Sequence, residues 1–230
     1  MNVSKRLNRL AEMVTVGNRL ADVGTDHGYV PISLIEQKRI PKALAMDVNK
    51  GPLERADAHI REYGLEAYIE TRLSDGLAAL QTGEADTVLI AGMGGPLTVR
   101  ILTEGRAVLE SVRELILQPQ SEIGGVRRWL SEHGYCIVCE DIVLDEGKYY
   151  PMMKAVHGES GAYSEEEYRY GKLALQQSKD TLKEFLEKNL AVQEQIARSL
   201  PDSGEARIRN RRLEVEQEKQ CLQKMLEECI

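Results

Sequence analysis

Three ionisable side chains and two glycines lie within seven residues near the start of the chain. The segment DVGTDHG runs from Asp22 to Gly28 and follows a short apolar run. Glycines in a strand-to-helix turn let the backbone approach a ligand closely, because they carry no Cβ atom. A further acid, Asp47, ends the next apolar run, where a carboxylate accepts hydrogen bonds from ribose hydroxyls. The pattern predicts a site for a nucleoside-containing cofactor.

The charge of this loop distinguishes two classes of cofactor. Dinucleotide sites generally carry G-x-G-x-x-G and place a pyrophosphate at a helix N-terminus. Here the spacing is Asp22-x-Gly24-x-x-x-Gly28, and Asp26 is a second acid. Carboxylates would repel a pyrophosphate but attract the ammonium and sulfonium groups of S-adenosylmethionine. The loop therefore favours S-adenosylmethionine, and a nicotinamide-dependent oxidoreductase is disfavoured.

The elements that must position the loop follow from the apolar pattern. Several apolar runs are almost continuous, as in strands that are covered on both faces. The predicted strands are 20–23, 43–48, 68–73, 87–92, 114–118, 135–144 and 152–158, and the predicted helices between them are 29–37, 50–63, 95–110 and 121–133. This alternation predicts an α/β fold with a parallel sheet. No helix separates the last two strands, so we expect an antiparallel hairpin at or near an edge.

The pattern changes from about residue 161. Helical periodicity extends over 164–200 with no internal breaker, and it begins with capping-box residues Ser164 and Glu167. A PDSG turn at 201–204 then leads into a second helical segment. We therefore expect two domains, 1–160 and 161–230, the second of them an antiparallel helical hairpin.

Composition limits the remaining classes of protein. Apolar residues make up 42% of the chain and the net charge is −7, so we expect a folded core and no overall basic surface. A local basic patch could still bind nucleic acid. With no apolar run of about 18 residues and no secretory signal, we expect a cytoplasmic protein without a membrane span. Cys136 and Cys139 fall in a predicted strand and point to opposite faces, so we favour buried cysteines and expect no metal.

Several motifs together resemble one family. In chain order they are DVGTDHGYVPI, the Asp47-Val48-Asn49 tripeptide, SDG at 74–76, IAGMGG at 90–95, LILQPQ at 115–120 and GKYYPM at 147–152. The sequence resembles the bacterial tRNA adenine-22 N1-methyltransferases (the TrmK family) over nearly its whole length. The resemblance implies a Rossmann-like class I methyltransferase domain with a coiled-coil-like hairpin. It also implies S-adenosylmethionine as cofactor, and N1 of an adenine in the D-loop region of tRNA as the methyl acceptor.

The resemblance also implies roles for individual residues. The methionine end of the cofactor would be lined by Asp22, Gly24, His27 and Gly28, the ribose by Asp47, the adenine by Asp75 and Gly76, and the sulfonium by Gly92 and Met93. Adenine N1 has an in-plane lone pair, so the enzyme mainly orients the base. A carboxylate could stabilise the cationic product or accept a proton from N6, and Asp26 is the candidate for this catalytic role.

Candidate substrate contacts occur in four separate segments of the sequence. The candidates are Arg6 in a small basic N-terminal surface, Gly94 in the loop AGMGGP, Tyr149 and Tyr150, and the cluster Arg207, Arg209 and Arg211. The tyrosines could stack on the target base or could be ordinary strand residues. The arginines could bind phosphate or form a solvated helix face.

Other interpretations stay open at this point. Asp26 could only cap the following helix, His27 could act as a base or merely pack, and Asp75 could only form an Asx turn. The protein could methylate another RNA or a small molecule, or it could be a non-catalytic RNA-binding module that retains a cofactor pocket. We expect tRNA as the macromolecular partner and favour a monomer.

Overall fold

The computed structural model describes residues 3–201 and 205–229. Within these ranges seven strands form one sheet in the order β3-β2-β1-β4-β5-β7-β6. The strands are β1 (Leu20–Val23), β2 (Ala43–Asp47), β3 (Ile69–Leu73), β4 (Thr87–Ala91), β5 (Glu114–Gln118), β6 (Tyr135–Asp145) and β7 (Lys148–His157). Strands β1 to β5 are parallel, and β7 is antiparallel to both β5 and β6. The predicted α/β sheet with an antiparallel hairpin at its edge is confirmed.

The helices connect and cover these strands. In the described ranges they are α1 (Lys5–Met13), α2 (Tyr29–Glu36), α3 (Lys50–Glu62), α4 (Gly95–Glu104), α5 (Arg106–Leu109), α6 (Ile123–Glu132), α7 (Glu165–Tyr170), α8 (Ala174–Gln177), α9 (Lys179–Ser199) and α10 (Ala206–Glu228). The single helix predicted over 95–110 is divided at Gly105. A Cβ atom there would lie 2.4 Å from Leu77 Cδ1, so close packing requires glycine.

The strand order brings the predicted motifs to one edge of the sheet. Chain order reverses between β1 and β4, which lie side by side but are followed by helices, α2 and α4, that pack in different apolar clusters on opposite faces of the sheet. In open parallel sheets, ligands bind in the crevice beyond the carboxyl ends of the strands at such a reversal. The loops that follow β1, β2, β3 and β4 all open at this edge, which we call the catalytic edge.

The central strands are buried on both faces. Val88 and Ile90 pack into one apolar cluster, whereas Leu89 between them packs into a second cluster on the other face. Successive side chains of a strand point to opposite faces, which accounts for this division. Each fully buried side chain of this size contributes about 1.5–3 kcal/mol. The catalytic edge is therefore carried by a rigid, doubly covered sheet.

The first C-terminal helix is not continuous, so the unbroken helix predicted over 164–200 is wrong. The capping box at Ser164 and Glu167 is present, but α7 ends at Tyr170, and its C-cap residue Gly171 has φ of +98°. A Cβ atom at Gly171 would lie 2.8 Å from Glu140 Oε1 and 2.9 Å from Arg127 Nη2. The chain turns at Gly171 because this buried ion pair occupies the space that a side chain would need.

Arg127 of α6 and Glu140 of β6 connect the sheet to the C-terminal helices. Their side chains are 2% and 1% exposed, and Arg127 Nε lies 2.7 Å from Glu140 Oε1. Arg127 also donates to the carbonyl oxygens of Tyr168 and Arg169, and the Leu173 N–H donates to Glu140 Oε2. We call the Arg127–Glu140 pair with these backbone partners the joint.

The C-terminal helices form a third apolar cluster. Leu182, Leu186, Leu222 and Met225 are completely buried there, and Ile142 of β6 joins them. Leu175 of α8, Ile196 of α9 and the α9 C-cap residue Leu200 are only half-buried. Most of the predicted PDSG turn lies outside the described residues. The division into domains at residue 160 stays a prediction.

Candidate active site

Two loops meet closely at the catalytic edge. Gly24, after β1, has φ of +78°, and a Cβ atom on it would lie only 2.4 Å from Met93 Cε in the loop after β4. Gly92 in that second loop also has a left-handed backbone, with φ of +81°. Only glycine adopts this conformation freely and allows such an approach. The two glycine loops therefore form a shallow cradle between β1 and β4.

Asp22 is a buried acid at the base of this cradle. It is 6% exposed, and its Oδ2 accepts a hydrogen bond of 2.7 Å from the Thr25 hydroxyl. Burial raises its pKa to about 6, the Thr25 hydrogen bond opposes the shift, and the charge of Asp47 adds to it. A carboxylate in this setting favours a cation as its ligand, because a positive charge would stabilise its ionised form.

Asp47 and Asp75 extend the acidic edge along the sheet. Asp47 ends β2 and accepts a hydrogen bond of 2.8 Å from the Asn49 N–H. Asp75 follows β3 and binds Arg100, with Nη2 to Oδ1 at 2.9 Å, instead of forming the alternative Asx turn. Next to it, Gly76 has φ of +56°, and a Cβ atom there would lie 2.9 Å from Ile101. The predicted acids thus occupy the ends of β2 and β3.

Asp26 does not cap the following helix, so that alternative is wrong. Helix α2 begins at Tyr29, and its N-cap residue is Gly28, which has a left-handed backbone. Asp26 itself has φ of +44°, and its Oδ1 lies 2.5 Å from Arg55 Nη2 on α3. Its side chain is 59% exposed at the mouth of the edge. Arg55 was not predicted, because α3 is distant in sequence and its arginines carry no motif.

His27 lies beside Asp26, and its ring is part of an aromatic group. Its Nε2 is 3.5 Å from Asp26 Oδ2, and its Nδ1 is buried without a hydrogen-bond partner among the described residues. The ring stacks on Tyr29 at 5.1 Å and on His59 at 5.4 Å. Tyr29 was missed by sequence reasoning, although its position directly after Gly28 would have placed it at the loop.

A cavity of about 190 Å³ opens between these groups. The residues that line it include Arg6, Asp22, Gly24, Asp26, His27 and Tyr29. A cavity of about 560 Å³ lies at the opposite, amino ends of β1 to β3, beside Arg19 and Lys42. That larger cavity contains none of the predicted site residues. The chemistry of the lining therefore identifies the smaller cavity as the candidate active site.

Helix α1 brings Arg6 to the same cavity. Arg6 Nη1 donates to Gln118 Oε1 at 2.9 Å, and a Cβ atom on Gly92 would lie 3.6 Å from Arg6 Nη1. The Tyr150 ring centre is 5.1 Å from the Arg6 guanidinium carbon. Gln118 is 1% exposed at the end of β5 and was not predicted, although the LQPQ motif contains it. Arg6, Gly92 and Tyr150 are therefore neighbours.

Other predicted substrate residues lie away from this cavity. Tyr149 packs against Phe185 of α9 at 5.5 Å between ring centres, on the opposite face of β7 from Tyr150. On α10, Arg211 lies 2.9 Å from Glu214. The lining of the cavity does not include the predicted arginine cluster Arg207, Arg209 and Arg211. Gly94 is the N-cap residue of α4, and a Cβ atom on it would lie 3.1 Å from Ser121 Oγ.

Across residues 3–201 and 205–229, no three His, Cys, Asp or Glu side chains are grouped as metal ligands. Helices long and apolar enough to cross a membrane are also absent from these ranges.

The reversal of strand order, the glycine cradle and the acids at the strand ends define a Rossmann-like methyltransferase site. In agreement, residues 3–153 match the family model described as a methyltransferase domain. A Bacillus subtilis protein named tRNA (adenine(22)-N(1))-methyltransferase is 36% identical over 162 residues, which are 70% of this chain and 68% of that protein. The chain belongs to this tRNA (adenine(22)-N(1))-methyltransferase family.

Solved structures agree over almost the whole chain. Sp1610 of Streptococcus pneumoniae is 33% identical, with 98% of this chain and 100% of that chain covered and a TM-score of 0.90. A structure of Sp1610 in complex with S-adenosyl-L-methionine matches with a TM-score of 0.89. The B. subtilis m1A22 tRNA methyltransferase TrmK is 27% identical, with 98% of this chain and 99% of that chain covered and a TM-score of 0.89.

Proposed function

We propose that this chain transfers a methyl group from S-adenosylmethionine to N1 of adenine 22 in tRNA. The observation that carries the proposal is the set of acids Asp22, Asp26 and Asp47 around a glycine cradle at the catalytic edge. This arrangement suits a nucleoside ligand whose other end is cationic. The chain's membership in the tRNA (adenine(22)-N(1))-methyltransferase family supports the same substrate and cofactor.

The residues at the edge fit this cofactor by charge and by space. Asp22 would bind the ammonium group, which would compensate the buried carboxylate whose pKa is raised to about 6. Gly24, His27 and Gly28 would leave room for the methionine end. Asp47 would bind the ribose, Asp75 and Gly76 the adenine, and Gly92 and Met93 would lie beside the sulfonium. The bound cofactor supplies an electrophilic methyl group.

The target adenine would enter the cavity beside Arg6. N1 lies on the Watson–Crick edge, so a paired or stacked adenine must first be exposed or flipped out. Tyr150, held against Arg6, and Tyr29 at the mouth of the cavity would stack on or beside the base. Gly94, in the loop after β4, would let the base approach the methyl group closely. These residues would supply the proximity and alignment that an in-plane lone pair needs.

Asp26 would act on the charge that forms during the reaction. Methylation leaves adenine cationic, and a carboxylate nearby stabilises that charge or accepts a proton from N6. Arg55 binds Asp26 Oδ1, whereas Oδ2 is directed toward His27 Nε2 at 3.5 Å. Arg55 and His27 would therefore hold the carboxylate in place. With tRNA as its substrate, the protein would act in the cytoplasm, and we propose that it acts as a monomer.

The direct test is transfer of a labelled methyl group to unmodified bulk tRNA, followed by nucleoside analysis. We expect label in 1-methyladenosine, and none when the tRNA has already been methylated by the same protein. Label in another nucleoside, or only in a small molecule, would favour a methyltransferase with a different acceptor. Binding of tRNA and cofactor without any transfer would favour a non-catalytic RNA-binding module.

A further inference from the structure

Three cations flank the turn between β6 and β7, although the net charge of the chain is −7. They are Arg6 of α1, Lys148 at the start of β7 and Lys188 of α9, and we call them the turn strip. Glu146 and Gly147 form a two-residue turn with φ of +47° and +78°. Positive φ at both central residues is typical of a type I′ hairpin turn, which fixes the geometry of the strands that it joins.

Neutral groups hold each cation of the turn strip. Lys148 Nζ donates to Gln120 Oε1 at 3.1 Å and lies 5.2 Å from the centre of the Tyr150 ring. Lys188 Nζ donates to the Gly147 carbonyl oxygen at 3.0 Å and lies 5.2 Å from the centre of the Tyr149 ring. These contacts orient the cations, and a ring face attracts a cation without neutralising its charge.

No carboxylate of the described residues lies within ion-pair distance of these three cations. This differs from Lys219 on α10, which lies 3.1 Å from Glu216. Both lysines of the turn strip are exposed, and each ammonium has three donors, of which one is used here. The turn strip therefore retains both positive charge and hydrogen-bonding capacity.

Several acids lie near the turn strip, but they contact other groups. Asp145 accepts a hydrogen bond from the Arg6 backbone N–H, and Glu184 accepts one from the Tyr149 hydroxyl. Burial raises the pKa of Tyr149, and the negative charges of Glu184 and then of Glu187 raise it further, so Glu187 also lies near this hydroxyl. Glu146 is exposed in the turn itself. Because acids lie on either side, the positive charge is confined to the turn strip itself, which runs from the candidate active site to α9.

We propose that the turn strip binds the phosphodiester backbone of tRNA beside the target adenine. The inference rests on the proposed function and specifies where the substrate docks. Cations held by neutral groups keep their attraction for phosphate, and binding releases the counterions of the nucleic acid. Arg6 itself lines the cavity, so the strip continues from the place where the base would enter.

The experiment measures tRNA affinity over a series of salt concentrations for Lys148→Gln and Lys188→Gln. We expect each variant to weaken binding by roughly three- to tenfold at low salt and to reduce the slope of log K against log salt by about 0.7–0.9. Lys148→Arg and Lys188→Arg, which keep the charge, should restore both values. Lys219→Gln is the matched control because that lysine is ion-paired, and it should behave as wild type.

The possible results separate this inference from the proposed function. If wild type methylates tRNA but the Gln variants match Lys219→Gln in affinity and slope, the turn strip is not a phosphate site. If the Gln and Arg variants weaken binding equally with an unchanged slope, only packing was lost and the inference is again wrong. A wild-type protein that binds tRNA with the predicted dependence on both lysines, but transfers no methyl group, would refute the proposed function alone. Glu184→Gln should act in the opposite direction and strengthen binding.

Discussion

The catalytic edge and the joint differ in the partners that they provide for charged side chains. At the joint, Arg127 and Glu140 are almost completely buried, and additional backbone groups satisfy both of them. At the catalytic edge, Asp22 is buried with a single hydroxyl donor, and Asp26 is more than half exposed. Both regions contain charges close to the apolar core. The difference is that the joint pairs its buried acid with a cation, whereas the catalytic edge leaves the buried Asp22 carboxylate with a hydroxyl donor only.

This contrast has a physical meaning. A buried charge costs free energy unless other groups replace the water that it loses. A buried carboxylate that lacks a cationic partner at a rigid site is therefore expected to gain that partner from a ligand. At the joint the protein supplies every partner itself, and the result is a fixed connection between sheet and helices. We therefore expect substitutions at the joint to affect stability, and substitutions at the catalytic edge to affect activity with little loss of stability.

Arg127→Met breaks the joint and should have the largest effect. It leaves the Glu140 carboxylate buried without its cation, which costs about 3–5 kcal/mol in comparable pairs. Chemical denaturation should show this loss in the free energy of unfolding. The double variant Arg127→Met/Glu140→Leu should regain a large part of it, because the uncompensated charge is removed. A loss below about 1 kcal/mol for Arg127→Met would remove the distinction between the two regions.

Asp26→Ala removes an exposed acid that lines the cavity of the catalytic edge. We expect kcat to fall by about 10²–10³-fold, because stabilisation of the developing positive charge is lost, while tRNA affinity changes by less than about threefold. Steady-state methyl transfer and a binding titration measure the two quantities. Asp57→Ala is the matched control, since Asp57 on α3 is a half-buried acid that is also paired with an arginine, Arg61. An unchanged kcat in Asp26→Ala would exclude Asp26 from the mechanism.

Asp22→Asn should change how the free energy of unfolding depends on pH. The folded protein holds the Asp22 proton up to a pKa of about 6, whereas the unfolded chain releases it near 3.8. The folded state therefore binds more protons in this window, and wild-type stability should fall as pH rises from about 4 to about 6. In the absence of cofactor, Asp22→Asn should lack this fall and be more stable at neutral pH by about 1–3 kcal/mol.

The same variant should bind S-adenosylmethionine more weakly, because the carboxylate that faces the ammonium is gone. Thermal denaturation across pH and a cofactor titration measure both effects. If the variant were less stable than wild type at neutral pH, Asp22 would be a structural residue like those of the joint.

The sequence predicts the sheet well because the relevant signals are local. The segments 20–23 and 114–118 are short and mainly apolar, and β1 and β5 occupy these same ranges. The glycines and acids of the first loop are equally local, and they identify the catalytic edge directly. The hairpin of β6 and β7 follows from the absence of a helix between two apolar runs.

Features that depend on distant contacts are the ones that sequence reasoning missed. The break at Gly171 exists because Arg127 and Glu140 occupy the space beside it, and neither is near it in sequence. Arg55 reaches Asp26 from another helix, and Gln118 becomes a site residue only because α1 places Arg6 against it. The separation of Tyr149 from Tyr150 was available from strand alternation, but which face was functional was not.

The central claim is that this protein methylates adenine 22 at N1. The most direct measurement is reverse transcription of a tRNA transcript after incubation with the protein and S-adenosylmethionine. A methyl group on N1 blocks Watson–Crick pairing, so the account predicts a new stop one nucleotide 3′ of adenine 22 that disappears when the transcript carries guanine at position 22. A stop at another adenine, or no stop despite methyl incorporation, would contradict the account.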